Sequence, residues 1–280
     1  MTALQPQVIF EDEFLLALDK PTGMLAHGDE GLSSALNWAQ EREAKKGRDP
    51  EQLHLVHRLD KETSGVLLLA RGEWADAVNA LFRDRKVLKV YLALTSPIPP
   101  LRWMRVEQQL QPRRIGSGER MVVVEAGGLQ ADSEIEVLSR GRQLALVRVI
   151  PEQGRKHQVR VALASSGAPV AGDFLYGGAL SKHLAKRVML HARTLEFRHP
   201  KTGEHIVLRA GLPKDFREAI SADSGSIPAD LDVRHRVQTT VKGSTLPGRL
   251  ASDKAAALAK NVHEPRDFAR TSARKPRPHS

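Results

Sequence analysis

Apolar and polar positions along this chain alternate in short runs more often than they recur at helical spacing. Alternation or β-branched enrichment predicts strands at Val8 to Phe10, Leu15 to Asp19, Val66 to Ala70, Val87 to Thr95, Arg120 to Glu125, Leu129 to Ser139, Leu144 to Ile150 and His205 to Ala210. Helical spacing appears from Ser34 to Lys46, where Leu36, Trp38 and Ala39 oppose Glu41, Arg42 and Glu43. It recurs from Glu73 to Arg83, with Trp74, Val78, Leu81 and Phe82 on one face. A third helix is expected from near Lys156 to Gly167, a residue suited to a C-terminal cap. Strands outnumber helices and arrive in neighbouring runs. The expected class is therefore α+β, an extended mixed, mainly antiparallel sheet flanked by helices and loops.

The pattern fades after Ala222, where Ser, Pro, Gly, Lys and Arg become frequent. Such a composition buries too little apolar surface to offset chain entropy. The expected organisation is a folded domain over 1–221 and a basic, disordered tail over 222–280, in which 253–261 (DKAAALAKN) could form a short helix. With 280 residues, 41% of them hydrophobic, the chain can bury a substantial core. Its formal net charge of +10 makes nucleic acid the leading partner, because Lys and Arg gain affinity by releasing phosphate counterions. With no cysteine, thiol nucleophiles, disulfides and Cys-based zinc sites are excluded. The N-terminus lacks the organisation of a secretory signal and no apolar run is long enough to span a bilayer, so a soluble cytoplasmic protein without membrane contact is expected. His183, His191, His199 and His205 lack the tight spacing of a metal site and read as surface or core residues. The Gly116 to Arg120 segment (GSGER) lacks the strand and helix that frame a phosphate-binding loop.

The chemistry concentrates in His57 to Gly65, HRLDKETSG, just ahead of the apolar run Val66 to Ala70. This places Asp60 on a turn at the mouth of the core. Held by Arg58, Lys61, Thr63 and Ser64, the carboxylate could stay ionised in a partly dry site, as a nucleophile requires. Capping the turn is the commoner role of an aspartate beside Ser, Thr and Gly, and on composition alone both readings stand.

The block closely resembles the signature of the RluA-type pseudouridine synthases, and further segments resemble that family in the same order. They are Val8 to Asp12; Leu15 to Met24, with its Lys20-Pro21-Thr22-Gly23 turn; His27 to Ser33; Lys89-Val90-Tyr91-Leu92-Ala93-Leu94; Gly154-Arg155-Lys156-His157-Gln158-Val159-Arg160-Val161; and Leu190-His191-Ala192 with Leu195, Phe197, His199 and Pro200. The similarity spans about Val8 to Ala219, and the Gly116 to Arg120 and His27 to Ser33 segments look most like the RluC branch, which acts on large-subunit ribosomal RNA.

The resemblance implies a pseudouridine synthase catalytic fold around a central RNA-binding cleft, working without cofactor or metal. It implies that Asp60 is the catalytic carboxylate, that Arg160 aligns its guanidinium fork with it, and that Tyr91 stacks on the base and handles a proton. Leu190 would wall the base, Arg58 would enter the RNA stack where a base leaves it, and His57 and Gln158 would be nearby donors. The implied substrate is 23S ribosomal RNA, with transfer RNA as an alternative. A non-catalytic RNA-binding or ribosome-assembly factor is a different class of reading, which the intact Asp60, Tyr91 and Arg160 set disfavours. A monomer is expected. Only about seven residues precede the first strand, so the S4-like RNA-binding domain of many RluC relatives is expected to be missing. RNA contacts would then come from the catalytic domain or the tail, with Arg113-Arg114 and Arg274-Lys275-x-Arg277 adding non-specific affinity.

Overall fold

A computed structural model of the chain describes residues 5–28, 33–116, 118–231 and 236–240. In chain order its first half comprises strands β1 (Gln7–Glu11) and β2 (Leu15–Lys20), helix α1 (Ala35–Lys45), strands β3 (Leu53–Leu55) and β4 (Ser64–Arg71), helix α2 (Trp74–Arg83), and strands β5 (Leu88–Thr95), β6 (Trp103–Val106), β7 (Gln109–Ile115) and β8 (Gly118–Val124). There follow β9 (Leu129–Gln130), β10 (Ser133–Arg140), β11 (Ala145–Pro151), helices α3 (Gln158–Ser165) and α4 (Phe174–Lys182), β12 (Leu190–Arg198), β13 (His205–Arg209), α5 (Lys214–Ala222) and β14 (Arg236–Thr240).

Among the described residues, an eleven-stranded sheet runs β1-β2-β4-β12-β5-β11-β10-β6, with β13 and β14 continuing from β12 and β3 added to β4; β8-β7-β9 form a separate three-stranded sheet. All pairings are antiparallel except β4 with β12, so the sheet is mixed and mainly antiparallel, as expected. Strand β4 explains its own apolar run: Val66, Leu68 and Ala70 pack on one face with Ala75 and Val78 of α2, while Leu67 and Leu69 pack on the other with Ala35 and Ala39 of α1. A strand covered on both faces has no polar side, hence no alternation.

The same fact hides β12, which the periodicity did not mark. It is the sheet's junction, pairing with β4, β5 and β13, yet it reads LHARTLEFR because His191 and Arg193 are buried within it. His191 meets the Ser64 hydroxyl through Nδ1 at 3.0 Å, and Arg193 donates to the carbonyls of Ala210 and Leu231. His199 and His205 are likewise engaged separately, with Asp12 and Glu196, and no group of three or more potential metal ligands forms among the described residues.

Ordered pairing also runs past the boundary expected at 221/222. Strand β14 pairs with β13 along its length and seats Val237 on the core, while Arg209 donates to Gln238 at 2.8 Å. With one apolar side chain in five residues, β14 depends on backbone pairing and escapes a hydrophobicity pattern. The described residues end at Thr240, and the rest of the expected tail, including 253–261 and the cations at 274–277, lies outside them. Among the described residues no helix is long and apolar enough to cross a membrane.

Gly65 lets β4 approach β12. Its φ is +115°, and a Cβ there would lie 2.2 Å from the Ala192 carbonyl oxygen, a backbone atom with no way to retreat. Gly65→Ala is therefore expected to lower stability by about 2 kcal/mol or more through combined strain and clash. A denaturant midpoint equal to wild type would contradict this.

Candidate active site

The loop between β3 and β4 carries Asp60 to the wall of a cleft of about 1070 Å³. The loop is pinned from beneath by the Lys20-Pro21-Thr22-Gly23 turn. Lys20 is fully buried, and its ammonium donates to the carbonyls of Pro21 (3.0 Å), Met24 (2.7 Å) and Lys61 (3.2 Å). The Thr22 hydroxyl donates to the Glu62 carbonyl at 2.7 Å, and the Gly23 amide donates to Lys61 O at 2.8 Å. Burial pulls the Lys20 pKa down to about 8, opposed by the negative charge of Asp60. One buried lysine thus staples two family-like segments together beneath the carboxylate.

Asp60 and Arg160 meet although they lie 100 residues apart: Arg160 Nη1 donates to Asp60 Oδ2 at 3.4 Å. The guanidinium fork itself points elsewhere. Arg160 Nε and Nη2 donate to Asp173 Oδ2 and Oδ1 at 2.7 and 2.8 Å, a bidentate pair with a fully buried carboxylate. The expected fork-to-Asp60 alignment is therefore corrected. Asp173 holds the arginine, leaving one N–H over for Asp60, whose side chain keeps 24% of its exposure. Burial works against the Arg160 charge, but the hydrogen bonds and charge of Asp173 overcome it and raise its pKa above the ordinary arginine value. Of the groups expected around Asp60, Ser64 turns to His191, and the exposed Arg58 lines the cleft instead.

Tyr91 and Lys89 sit two apart on β5, hence on one face, and both line the cleft. Burial, with help from the Asp60 charge, raises the Tyr91 phenol well beyond the ordinary tyrosine range, so the hydroxyl stays protonated. Lys89 donates to Gln153 O at 2.7 Å, and burial brings its pKa to about 8. On β12, Ala192 pairs with Tyr91 and Leu190 with Ala93, which sets buried Leu190 beside the tyrosine in the cleft wall.

His57 stacks on Phe82 with ring centroids 4.9 Å apart and accepts the Leu68 amide through Nε2 at 2.9 Å. Burial lowers its pKa to about 3, so the ring is neutral with its hydrogen on Nδ1. Gln158 also lines the cleft, but its amide is engaged within the protein. Nε2 donates to Asp132 O (2.8 Å) and Oε1 accepts the Arg155 amide (3.0 Å), so its direct effect is to shape the 153–158 turn.

Several residues of the site went unread in the sequence. Asp173 also caps α4, accepting the amides of Leu175 and Tyr176, so an Asp ahead of Phe-Leu-Tyr was a signal that could have marked it. Tyr176 Oη lies 2.8 Å from His157 Nδ1 and accepts the Met121 amide at 3.0 Å, while its ring lies 5.2 Å from the Arg160 guanidinium carbon. His157 holds a left-handed backbone (φ 57°, ψ 12°) at the start of α3, a conformation that costs a non-glycine residue about 1 kcal/mol or more. Among the described residues Asp60 is the one carboxylate lining the cleft, facing the cations Arg58, Arg83, Arg85, Lys89, Arg155, Lys156 and Arg160.

Comparisons with known proteins point to one family. The model for the RNA pseudouridylate synthase family matches residues 14–165. The chain is 35% identical over 233 residues to ribosomal large subunit pseudouridine synthase C of Pasteurella multocida, covering 79% of this chain and 69% of that one. It is 35% identical over 230 residues to the protein of the same name from Yersinia pestis, covering 79% and 70%. Among solved structures, human RNA pseudouridylate synthase domain containing 4 superposes with a TM-score of 0.63 at 30% identity, over 79% of this chain and 94% of that one. Matched by the family model over more than half its length and by relatives over more than two thirds of theirs, the chain belongs to the RNA pseudouridylate synthase family.

Proposed function

We propose that the chain converts uridines of large-subunit ribosomal RNA to pseudouridine, with Asp60 as the catalytic carboxylate. The carrying observation is the cleft itself, in which one carboxylate touched by a fixed arginine is surrounded by cations. Such a wall attracts a polyanion, and a uridine within it must be flipped out of its stack to reach Asp60, at a cost of a few kcal/mol. In the reaction the bond from ribose C1′ to N1 breaks, the base turns, C1′ bonds to C5, the C5 proton leaves, and N1 takes up a proton in its place. Atoms and redox state are conserved, so neither a metal nor a redox cofactor is required by the balance.

In this reading Arg160 orients the carboxylate, Tyr91 packs on the loosened base with its hydroxyl serving proton transfer, and Leu190 closes the apolar wall. Arg58 occupies the gap in the RNA stack, His57 offers Nδ1–H from the wall, and Gln158 acts through the turn it shapes. Ribosomal RNA is favoured over transfer RNA because the relatives just described carry the large subunit in their names. The enzyme would work as a monomer in the cytoplasm.

The test is to map pseudouridine in ribosomal and transfer RNA from cells with and without the gene. Loss of specific large-subunit signals, restored by the wild-type gene, is the expected result. Loss confined to transfer RNA would move the substrate there, and unchanged maps would sink the proposal.

A further inference from the structure

Asp60 presents two oxygens. Arg160 touches Oδ2, and His157 Nε2 faces Oδ1 from the other side at 3.8 Å. His157 is not a loose surface ring. Its Nδ1 lies 2.8 Å from Tyr176 Oη, the two rings stand edge to face with centroids 5.6 Å apart, and its backbone is held in the left-handed region.

The hydrogen-bond roles can be assigned. Tyr176 Oη already accepts the Met121 amide, so among the described residues its own hydrogen has Nδ1 of His157 as acceptor. Nδ1 then accepts, and the ring hydrogen sits on Nε2, the edge that faces Asp60. We propose that His157, set in this tautomer by Tyr176, is a positioning residue that grips the second oxygen of Asp60 as the reaction proceeds. Held at one oxygen only, a carboxylate can still swivel about its last side-chain bond; held at both, it presents its remaining lone pairs to the cleft in one orientation. The 3.8 Å gap is longer than a hydrogen bond, and contacts of this kind tighten when substrate fills a site.

The charged and titratable groups facing His157 are Asp60 from the β3–β4 loop, Lys156 and Arg160 beside it in sequence, and Asp173 and Tyr176 from the start of α4. Burial lowers the His157 pKa, with Arg160 and Lys156 acting in the same direction against Asp60 and Asp173. The ring is thus neutral at pH 7 and becomes a cation only on acidification. An imidazolium there would clamp Asp60 in an ion pair, so wild-type turnover should fall as His157 takes up its proton.

The inference rests on Asp60 being the catalytic carboxylate, so the experiment includes Asp60→Asn alongside three variants assayed for kcat and KM on a ribosomal RNA fragment. His157→Asn suits the backbone, since asparagine tolerates the left-handed region, but its amide is too short to reach Asp60. His157→Gln places an amide near the Nε2 position, and Tyr176→Phe removes the hydroxyl that sets the tautomer. The expected result is a fall in kcat of roughly 10- to 100-fold for His157→Asn and a smaller fall for Tyr176→Phe, both at near-constant KM, as for a misplaced reacting group. His157→Gln should recover most of the loss, and the acid limb of kcat should flatten in His157→Asn. Wild-type kcat in His157→Asn, or glutamine no better than asparagine, would overturn this inference while leaving Asp60 in place. Turnover by Asp60→Asn would instead overturn the proposed function beneath it. Thermal melts of each variant separate misfolding from mispositioning.

Discussion

Asp60→Asn is expected to abolish pseudouridine formation, by about four orders of magnitude or more, while leaving the fold and RNA binding in place. The substitution is nearly isosteric and removes the negative charge and one carboxylate oxygen together. Little structure depends on that side chain. Its hydrogen bond is the 3.4 Å contact from Arg160, and a quarter of its surface stays exposed. The loop is held instead by the Lys20 ammonium, the Thr22 hydroxyl and the Gly23 amide, which donate to its backbone carbonyls. Removing a carboxylate from a wall of cations should, if anything, tighten the cleft's hold on phosphate. The variant is thus expected to bind RNA at least as well as wild type in a filter-binding assay while forming no pseudouridine detectable by mass spectrometry. Turnover within about tenfold of wild type would remove Asp60 from the chemistry.

Asp173→Ala is expected to damage both stability and catalysis. Arg160 is 5% exposed, and Asp173 supplies both oxygens of its bidentate partner. Removing that carboxylate strands a buried guanidinium and uncaps α4, a loss of about 3–5 kcal/mol. Asp173→Asn separates the two effects. Its side-chain oxygen can still accept the Leu175 and Tyr176 amides, while the charge that keeps Arg160 in place is gone. The asparagine variant keeps the cap but leaves the buried guanidinium without its counter-charge, so a stability loss smaller than that of alanine, with a strongly reduced kcat, is expected, measured by chemical denaturation and single-turnover kinetics. A stability loss below about 1 kcal/mol in Asp173→Ala would show that Arg160 finds another partner.

Much of the fold was legible because burial in this protein is often one-sided or uniform over short stretches. Strands β1, β2, β4, β5, β8, β11 and β13 fall where periodicity placed them, as do helices α1, α2 and α3. The segment read as one strand from Leu129 to Ser139 divides into β9 and β10, which belong to different sheets. Helix α5 escaped although Phe216 and Ile220 stand at helical spacing, but three other missed elements share a physical feature. Strand β12 buries histidine and arginine beside leucine. Strand β7 (QLQPRRI) exposes most of its side chains, and α4 (FLYGGALSK) contains Gly178 at φ +65°, which interrupts the helical pattern. In each case hydrogen bonding or backbone freedom decided the conformation, and hydrophobicity carried no mark of it.

The candidate site divides the same way. The HRLDKETSG block, the Lys-x-Tyr segment and the run ending in Arg160 named Asp60, Tyr91 and Arg160 from the chain alone, because local motifs carry the residue types and turns that the chemistry needs. Which partner each side chain takes was decided only in three dimensions. The Arg160 fork belongs to Asp173, the Ser64 hydroxyl to His191, and the Gln158 amide to the turn before α3. The parallel contact of β4 with β12 brings Gly65 against Ala192 and sets Leu190 beside Tyr91. Periodicity and motifs are properties of neighbouring residues, whereas strand register and ion-pair choice depend on which distant segments pack together and which buried charges must then be matched.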